Sequence, residues 1–326
     1  HNYPRHPGDI AGALLHPLAA ALVARGDAVT VIAPADRGSA GEETRDGVVI
    51  RRVRYATPDR ETLAYDGRMV ERAASPGGLL ALAGLHSALR RAAREELSRE
   101  RTPAVLHAHW WVPAGLAAPP ESPLLLTVHG TDGRLLAGRV ARLAARPVFR
   151  RARVVTTVSK PLAATVRKHT GRTVPEACVL PMPVDTSGWP WSVGGGGAVL
   201  VARLTAQKRV HLAIEAVALL AQDGVTLPLT IVGDGPERPA LEALTARLGM
   251  GAHVRFAGAV SPDEIPARLA QADLFVLPAR EEGFGLAAVE ALMAGVPIVA
   301  CSDGGGLLDI VSSDGAGRIA ATDPGS

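Results

Sequence analysis

Glu290 is the only charged residue in the apolar stretch 284–300. The pattern predicts a helix from about Gly285 to Ala294 that is apolar on nearly every side and therefore buried. A glycine and a proline follow it, as expected after the last turn of a helix. An unpaired carboxylate is costly to bury, or it becomes protonated. We therefore expect Glu290 either to form a structural ion pair or to meet a ligand hydroxyl in a cleft.

Glu282 precedes the turn Gly283-Phe284-Gly285 that leads into this helix. Glycines let backbone N–H groups approach a ligand closely, and the amides of a helix N-terminus attract anions. The turn therefore offers phosphate-binding amides, with one carboxylate before them and one inside the helix. This combination favours a nucleotide-sugar site. The alternative is a solvated Glu282 together with an ion-paired Glu290.

Arg203 and Lys208 lie across a predicted strand-to-helix turn, Arg203 at the end of the strand and Lys208 at the start of the helix. Two cations at this spacing can clamp a diphosphate, Arg through its guanidinium fork and Lys as a point charge. Only 3 of the 35 basic residues are lysines. This preference for arginine weakens the alternative that Lys208 is simply a solvated surface residue.

Three histidines follow two neighbouring predicted strands. His107 and His109 lie on one face of a short buried strand, since side chains alternate, and His129 ends the next strand. The carboxyl ends of parallel strands form the edge at which α/β sheets bind ligands. These imidazoles could therefore hydrogen-bond a ligand. The alternative is a three-histidine metal site, for which the sequence offers no supporting carboxylate pattern.

The elements that position these residues alternate between strands and helices in both halves of the chain. The first half predicts a helix to about Arg25, a strand at 28–34 and a helix at 79–101. The second half predicts strands near 198–203, 227–232, 253–257, 273–277, 297–301 and 317–320. A segment rich in proline and glycine breaks the regular structure between the two halves. We therefore predict two doubly wound domains, with the boundary between Pro183 and Val184.

Composition excludes several classes of protein. The 326 residues are 47% hydrophobic and 21% charged, which is typical of a globular protein. A net charge of +3 with 3% aromatic residues gives no basic-aromatic surface for stacking bases, so nucleic acid is not an expected partner. Cys178 and Cys301 are too few for a disulfide framework, and no run reaches the roughly 18 apolar residues of a membrane span. We expect a cytoplasmic protein of undetermined oligomeric state.

The spacing Glu282-x7-Glu290, with G-F-G between the two carboxylates, resembles the signature of glycosyltransferase family 4. Other stretches resemble that family, in its order, along nearly the whole chain. They are Y-P-R-x-P-G-D-x-A-G at 3–12, H-A-H at 107–109, V-H-G-T-D at 128–132, R-L-x-x-x-K at 203–208, G-D-G-P at 233–236 and R-F-A-G-A-V at 255–260. Two positions depart from the family pattern, because Arg209 replaces its usual Gly and Asp309 its usual Glu.

The resemblance implies an α/β protein of the GT-B fold, with two Rossmann-like doubly wound domains facing a central cleft. Residues 1–183 would form the acceptor-side domain, and residues 184–326 the nucleotide-sugar-binding domain. The chain opens without the family's first strand and ends without its last helices. We therefore expect it to be truncated at both ends.

The resemblance also implies roles for single residues. Glu290 would hold the ribose hydroxyls, Glu282 would bind the donor sugar, and His129 would lie near the reacting carbon. Arg203 and Lys208 would bind the donor diphosphate.

The opening loop of the chain is similar to the family's first loop, which lies against the donor diphosphate. Gly8, Asp9 and Gly12 are the candidates there. The alternative is that they are turn residues alone.

The implied reaction is transfer of a hexosyl group, with retention of configuration, from a nucleoside diphosphate sugar to a hydroxyl acceptor. That acceptor could be a glycan, a lipid-linked sugar or a small molecule. The donor is a substrate, so no cofactor is implied, and the lack of a D-x-D sequence indicates a metal-independent enzyme. One alternative is a GT-B-fold nucleotide-sugar epimerase, which needs no acceptor. Another is a non-catalytic module that binds nucleotide sugars.

The segment 134–153 contains seven arginines and no acidic residue, with an apolar stripe of Leu136, Val140 and Leu143. A basic amphipathic helix can lie on an anionic membrane surface, which would suit a lipid-linked acceptor. More often such a helix presents a solvated face. Both interpretations stay open, so peripheral membrane contact is an expectation for this segment.

Overall fold

The computed structural model describes residues 2–6, 8–9, 11–37, 39–65, 68–99, 103–184, 188–312, 315–323 and 325. The chain forms two compact units. The first comprises His1–Val158 and Ala163–Pro183, and the second comprises Ser159–Leu162 and Val184–Ser326.

The described strands of the first unit form two separate sheets of three strands each. They are β1 (Thr30–Pro34), β2 (Gly41–Arg45), β3 (Val48–Val53), β4 (Leu106–His109), β5 (Leu124–Val128) and β6 (Val154–Thr157). β3 lies parallel to β1 and antiparallel to β2. β5 lies between β4 and β6, and these three are parallel. The sequence predicts one doubly wound sheet for this half, and the first strand of such a sheet is central. Among the described strands, none pairs with the free edge of β1 or with that of β4, so the predicted sheet is divided into two.

Helices accompany both sheets of the first unit. They are α1 (Leu15–Ala24), α2 (Met69–Ala73), α3 (Pro76–Arg99), α4 (Thr131–Leu135), α5 (Arg139–Arg151) and α6 (Lys160–Thr170), of which residues 160–162 belong to the second unit. Ala81, Leu85, Ala88 and Ala92 of α3 are buried, as their spacing on one helical face predicts. The predicted helices ending near Arg25 and spanning 79–101 are therefore confirmed, with shifted bounds.

The second unit contains one sheet of six parallel strands in the order β12-β11-β10-β7-β8-β9. The strands are β7 (Ala198–Val201), β8 (Leu229–Val232), β9 (Val254–Gly258), β10 (Leu274–Leu277), β11 (Ile298–Cys301) and β12 (Gly317–Ala320). All six predicted strands are confirmed to within about two residues at each end, the usual uncertainty of element bounds. This strand order is that of a Rossmann fold.

Helices pack on the second sheet in two hydrophobic cores. They are α7 (Val210–Gln222), α8 (Arg238–Arg247), α9 (Ile265–Leu269), α10 (Leu286–Met293) and α11 (Leu307–Val311). One core joins α7 and α8 to the sheet through residues such as Ile214 and Leu241. The other joins α10 and α11 through residues such as Ala291 and Leu307. Apolar packing thus holds α7 and α10 on the sheet, and with them the ends of the loops that lead into these two helices.

The glycine-rich segment 188–197 contains neither helix nor strand, as its composition predicts. It is nevertheless bound to the second unit. The carboxylate of Asp273 accepts hydrogen bonds from the amides of Gly195 at 2.7 Å and Gly197 at 2.8 Å. Breaking regular structure therefore does not leave this segment unattached.

Charge is distributed unequally along the chain. Residues 133–175 contain eleven Lys and Arg and no Asp or Glu, which leaves 24 basic and 32 acidic residues elsewhere. The first unit has a net charge of +9 and the second a net charge of −6, which together give the +3 of the chain. Among the described helices, none is long and apolar enough to cross a bilayer.

Candidate functional site

The order of strands in the second sheet reverses between the neighbouring strands β7 and β10. The chain leaves β7 through α7 toward β8 on one side, and leaves β10 through α10 toward β11 on the other. The two segments diverge and leave a crevice, which is the usual ligand site of such sheets. Arg203 and Lys208 lie on the first segment, and Glu282 and residues 283–285 lie on the second.

Three loops at this crevice are hydrogen-bonded to one another, and we call them the three-loop cluster. The amide of Arg280 donates to the Gln207 carbonyl at 2.9 Å, and the Gln207 side chain donates to the Arg280 carbonyl at 2.8 Å. The amide of Glu282 donates to the carbonyl of Gly304 at 3.1 Å, and the Glu282 carbonyl accepts from the amide of Gly306 at 2.7 Å. The cluster comprises residues 206–209, 278–283 and 303–306. Its backbone therefore has a defined arrangement.

Within the three-loop cluster, Lys208 and Glu282 form an ion pair between Nζ and Oε2. Their side chains are only 18% and 17% exposed. The side-chain nitrogen Nε2 of Gln207 lies 3.4 Å from the same Glu282 oxygen. The sequence alternative of a solvated Glu282 is therefore wrong. The residues predicted to bind the diphosphate and the donor sugar contact each other directly.

Glu290 lies on α10 and is half-buried. Within the described part of the chain, its carboxylate has no hydrogen-bond or ion-pair partner. Burial alone raises the pKa of Glu290 to about 7. The structural ion pair considered from the sequence is thus not found among these residues. A half-buried, unpartnered carboxylate is suited to accept hydrogen bonds from a ligand.

The turn before α10 presents backbone donors. Gly285 has a φ of +95°, and a Cβ there would lie 2.3 Å from a methyl group of Leu307, so only glycine fits. The amides of residues 283–287 have no hydrogen-bond acceptor among the described residues. Phe284 is partly buried between the two glycines. These free amides at a helix N-terminus can bind an anion.

Arg203 follows β7 with an exposed guanidinium that forms no ion pair or hydrogen bond with any described residue. Its backbone is supported by the G-D-G-P turn. A Cβ on Gly233 would lie 1.9 Å from the Ala202 carbonyl oxygen, and one on Gly235 would lie 2.3 Å from that of Leu204. Both glycines of this turn therefore serve close backbone contact with the Arg203 loop.

Arg209, the departure from the family pattern, has a left-handed conformation with φ of +46°. Its Nε donates to the Pro278 carbonyl at 2.9 Å. Its two terminal nitrogens donate to the Asp303 carboxylate at 3.0 and 2.5 Å. The fork therefore forms on a left-handed backbone that costs roughly 1–2 kcal/mol for a residue other than glycine. The arginine thus holds all three loops of the cluster together, a role that the sequence alone did not indicate.

The histidines of the first unit lie together at the carboxyl ends of β4 and β5. His109 Nδ1 and His129 Nε2 are 2.8 Å apart, which is a hydrogen bond between the two rings. His107 Nε2 lies 2.7 Å from the Thr127 hydroxyl. Among the described residues, no group of three or more His, Cys, Asp or Glu is arranged to hold a metal ion. The rings use these nitrogens on each other and on Thr127, which does not support the three-histidine alternative.

Asp132 organises the turn after β5, a role that was not predicted from the sequence. Its fully buried carboxylate accepts the amides of His129 at 2.9 Å, Gly130 at 3.2 Å and Trp111 at 3.3 Å. Burial raises the pKa of Asp132 to about 6, against the opposing effect of these donors. The carboxylate fixes the backbone from which His129 projects. Its position three residues after His129, in H-G-T-D, is the signal that could have found it.

The opening loop contains Gly8, Asp9 and Gly12. The Asp9 carboxylate is paired with Arg5, at 2.6 and 3.2 Å, and so serves the loop itself. A Cβ on Gly12 would lie 2.4 Å from the carbonyl oxygen of Asn2, which gives this glycine a structural reason. Gly8 has a φ of +82° and no atom within 4 Å of the position of a Cβ. Of these three residues, Gly8 is therefore the one with open space beside its Cα.

Comparison with protein-family models gives two matches. The model of Glycosyltransferase Family 4 matches residues 11–187. The model of Glycosyl transferases group 1 matches residues 197–324.

Comparison with known proteins gives relatives that match different shares of the chain. Glycogen synthase of Mycobacterium tuberculosis is 29% identical over 316 residues, which cover 90% of this chain and 74% of that protein. A GDP-mannose-dependent alpha-(1-6)-phosphatidylinositol monomannoside mannosyltransferase of Mycolicibacterium smegmatis is 30% identical over 204 residues, covering 56% and 53%. The sucrose-phosphate synthase structure from Thermosynechococcus elongatus is similar with a TM-score of 0.76 at 18% identity, covering 98% and 84%.

Proposed function

The chain belongs to glycosyltransferase family 4, and from that premise we propose that it transfers a sugar from a nucleoside diphosphate sugar to a hydroxyl acceptor with retention of configuration. One observation carries this proposal. The segments that follow β7 and β10 carry groups that can bind an anion and one carboxylate that has no described partner. A sheet of this topology binds its ligand at these segments. These groups are Arg203, Lys208, the free amides of 283–287 and Glu290.

The donor diphosphate is the proposed ligand of the cations and amides. Breaking the anomeric bond leaves negative charge on the diphosphate, and groups already aimed at that charge stabilise the transition state. Arg203 offers a planar fork and Lys208 a point charge. Together with the amides of residues 283–287 they can supply this stabilisation without a metal ion. We therefore expect metal-independent transfer.

The two glutamates have separate proposed roles. Glu290 accepts hydrogen bonds from the ribose hydroxyls, because its carboxylate is half-buried and has no described partner. Glu282 binds the sugar that is transferred, and its pairing with Lys208 places it beside the diphosphate-binding cation. The carboxylate and the diphosphate therefore compete for, or share, the same ammonium group.

In the first unit we assign His129 the role of a neutral hydrogen-bond partner for a sugar hydroxyl. Burial lowers the pKa of His129 to about 3, so its ring is uncharged near neutral pH. A neutral imidazole can donate from one nitrogen and accept at the other. Gly8 is the proposed point of close backbone approach in the opening loop.

Donor binding tests the proposal most directly. In a thermal-shift screen with UDP, GDP and ADP and their sugars, we expect one nucleotide family to stabilise the protein. At a ligand concentration 100 times its Kd the gain is about 2.7 kcal/mol. The best donor is then incubated with malto-oligosaccharide or with phosphatidylinositol vesicles, and the products are analysed for anomeric configuration. EDTA should change neither the shift nor the transfer.

Other outcomes identify the alternatives. A changed donor sugar in the absence of acceptor would indicate an epimerase, and binding without any turnover would indicate a non-catalytic module. Loss of transfer in EDTA with recovery in Mg²⁺ would contradict the roles of Arg203 and Lys208.

We further propose that α5 binds an anionic lipid surface. Val140 and Leu143 are 82% and 62% exposed on this helix, beside several arginines and within the segment 133–175 that lacks acidic residues. The predicted stripe is wrong at Leu136, which is buried and lies before α5 begins at Arg139. The remaining two exposed apolar residues, flanked by arginines, can insert at the boundary of headgroups and acyl chains. The relative named for a phosphatidylinositol monomannoside substrate is consistent with an acceptor at such a surface.

Vesicle sedimentation tests this surface. The protein should pellet with vesicles that contain phosphatidylglycerol and not with pure phosphatidylcholine. Arg139→Ser with Arg146→Ser should weaken the association about 30-fold, since each basic residue contributes about 1 kcal/mol near an anionic surface. Arg247→Ser with Arg255→Ser, at two exposed positions of the second unit, is the control for the loss of two positive charges. Equal binding to both lipids, or no effect of the arginine changes, would sink the proposal.

A further inference from the structure

We propose that His109 and His129 act as one hydrogen-bonded pair, in which His109 is a positioning residue that sets the tautomer of His129. The inference rests on the proposed function, because the pair is taken to bind sugar hydroxyls. His129 has its role from the family resemblance, whereas His109 has had none assigned. The carrying observation is the 2.8 Å contact between His109 Nδ1 and His129 Nε2.

The surroundings restrict both rings. The backbone of His129 is held by the Asp132 carboxylate, which accepts its amide at 2.9 Å. The ring of His109 lies 4.1 Å from that of His107 and 5.1 Å from that of His129, measured between centroids. His107 is in turn bound to Thr127, whose hydroxyl contacts that of Thr156 at 2.7 Å. Neither imidazole can turn freely without breaking a contact.

Two neutral rings joined in this way are coupled in their tautomers. Each carries one N–H, and burial lowers the pKa of both histidines, so neither is charged near neutral pH. If His109 Nδ1 donates, then His129 Nε2 accepts and the proton of His129 is on Nδ1. If His129 Nε2 donates, then the proton of His109 is on Nε2. Both residues must therefore be in the same tautomer, either both Nδ1–H or both Nε2–H.

The coupling fixes what the outer nitrogens can do. His109 Nε2 and His129 Nδ1 have no hydrogen-bond partner among the described residues. Neither atom is counted as fully buried and unsatisfied, so both keep some exposed surface. In either tautomer one of them donates and the other accepts. The pair therefore suits a polyhydroxyl ligand that offers one hydroxyl as acceptor and another as donor. It would discriminate against a ligand that offers two groups of the same kind.

Ring ¹⁵N NMR of the full chain labelled at histidine tests the pair without any substrate. We expect His109 and His129 to be neutral from pH 5.5 to 8 and to share one tautomer. His109→Leu should leave His129 as a mixture of tautomers, while His109→Asn, which keeps a polar group near the position of Nδ1, should preserve one. His211→Leu, at an exposed position of the second unit, is the control. Different tautomers in the wild-type pair, or an unchanged His129 signal in His109→Leu, would overturn the proposal.

Kinetics separate the pair from the wider proposed function. With a donor that is turned over, His109→Leu should lower kcat/KM about tenfold, as expected for one lost hydrogen bond, and His109→Asn should restore most of it. Equal losses in both variants would overturn the positioning role. If no donor is turned over, the proposed transfer fails, while the NMR result still decides whether the two rings are coupled.

Discussion

Lys208→Met is expected to lower turnover by about 100- to 1000-fold, the usual loss when one preorganised donor to a developing charge is removed. The affinity for the free nucleoside diphosphate should fall about 10- to 150-fold, as for a hydrogen bond to a charged group. Methionine keeps the length of the side chain, so packing in the three-loop cluster is disturbed little. Both quantities are measured with the nucleotide that gives the largest thermal shift, by steady-state kinetics and by calorimetric titration.

Glu282→Gln should act in the opposite direction on nucleotide affinity. Lys208 is paired with Glu282 in this structure, so neutralising the carboxylate releases the ammonium group for the diphosphate. We expect up to about fivefold tighter binding of the free nucleoside diphosphate, within the range of a weak ion pair. Turnover should nevertheless fall, because the carboxylate is assigned to the transferred sugar.

Lys168→Met is the matched control for Lys208→Met, since it replaces another of the three lysines at an exposed position on α6. Its nucleotide affinity should equal that of the wild type. If Lys208→Met binds nucleoside diphosphate as tightly as this control, Lys208 does not contact the diphosphate. Weaker binding by Glu282→Gln would show that the carboxylate helps to hold the nucleotide rather than competing for Lys208.

Glu290→Gln is expected to make the protein more stable and its donor binding weaker. The pKa of Glu290 is raised from 4.5 to about 7 by burial, so ionising this carboxyl destabilises the folded state. The shift corresponds to at most about 3 kcal/mol, less the part that solvent screens at this half-buried site. Glutamine carries no charge and avoids that cost. A ligand-binding role explains why a destabilising group would be retained.

The pH dependence follows from the same shift. A carboxyl whose folded pKa exceeds its unfolded value contributes stability that is complete below about pH 4.5 and is lost as the pH rises through about 7. Wild type and Glu290→Gln should therefore melt alike near pH 4.5, and the variant should melt higher at pH 8. Donor binding by the wild type should strengthen as Glu290 ionises, whereas the variant should show no such step.

Melting curves at pH 5 and pH 8, with titrations of nucleoside diphosphate at both values, measure these effects. Glu215→Gln on α7 supplies a control for the loss of one carboxylate. A lower melting temperature for Glu290→Gln at pH 8 would mean that the carboxylate has a structural partner. Unchanged nucleotide affinity would remove Glu290 from the proposed site.

The family and the fold of the second unit could be predicted because both depend on local pattern. Short apolar runs bounded by glycine and proline identify the six parallel strands, and the Glu282-x7-Glu290 signature lies within a single loop and helix. The family models confirm the predicted family, and the likeness to sucrose-phosphate synthase confirms the predicted fold. The assigned roles of the site residues stay predictions.

The contacts that organise the site join residues far apart in the chain, and no local pattern contains them. Arg209 and Asp303 are 94 residues apart, and Lys208 and Glu282 are 74 residues apart. From the sequence, Lys208 and Glu282 were predicted to bind different parts of the donor. In the fold they form an ion pair with each other. Their pairing depends on β7 and β10 being neighbours, which only the strand order reveals.

The first unit shows the same limit. Alternation correctly places His107 and His109 on one face of β4, but the register of β4 against β5 decides that His109 meets His129. The sequence allowed Gly12 to be either a diphosphate-binding residue or a turn residue. The close approach of the Asn2 carbonyl supports the second interpretation. Interactions across the sheet therefore decide which candidates contact one another.

The opposite net charges of the two units give ionic strength opposite effects on the two kinds of ligand. An anionic donor approaches a unit with a net charge of −6, and it is attracted only within the short reach of Arg203, Lys208 and the free amides. Dissolved ions screen the longer-ranged repulsion first, since the Debye length is about 8 Å at physiological ionic strength. Moderate salt should thus leave donor association level or faster, and it should steadily weaken the proposed attachment of α5 to an anionic surface.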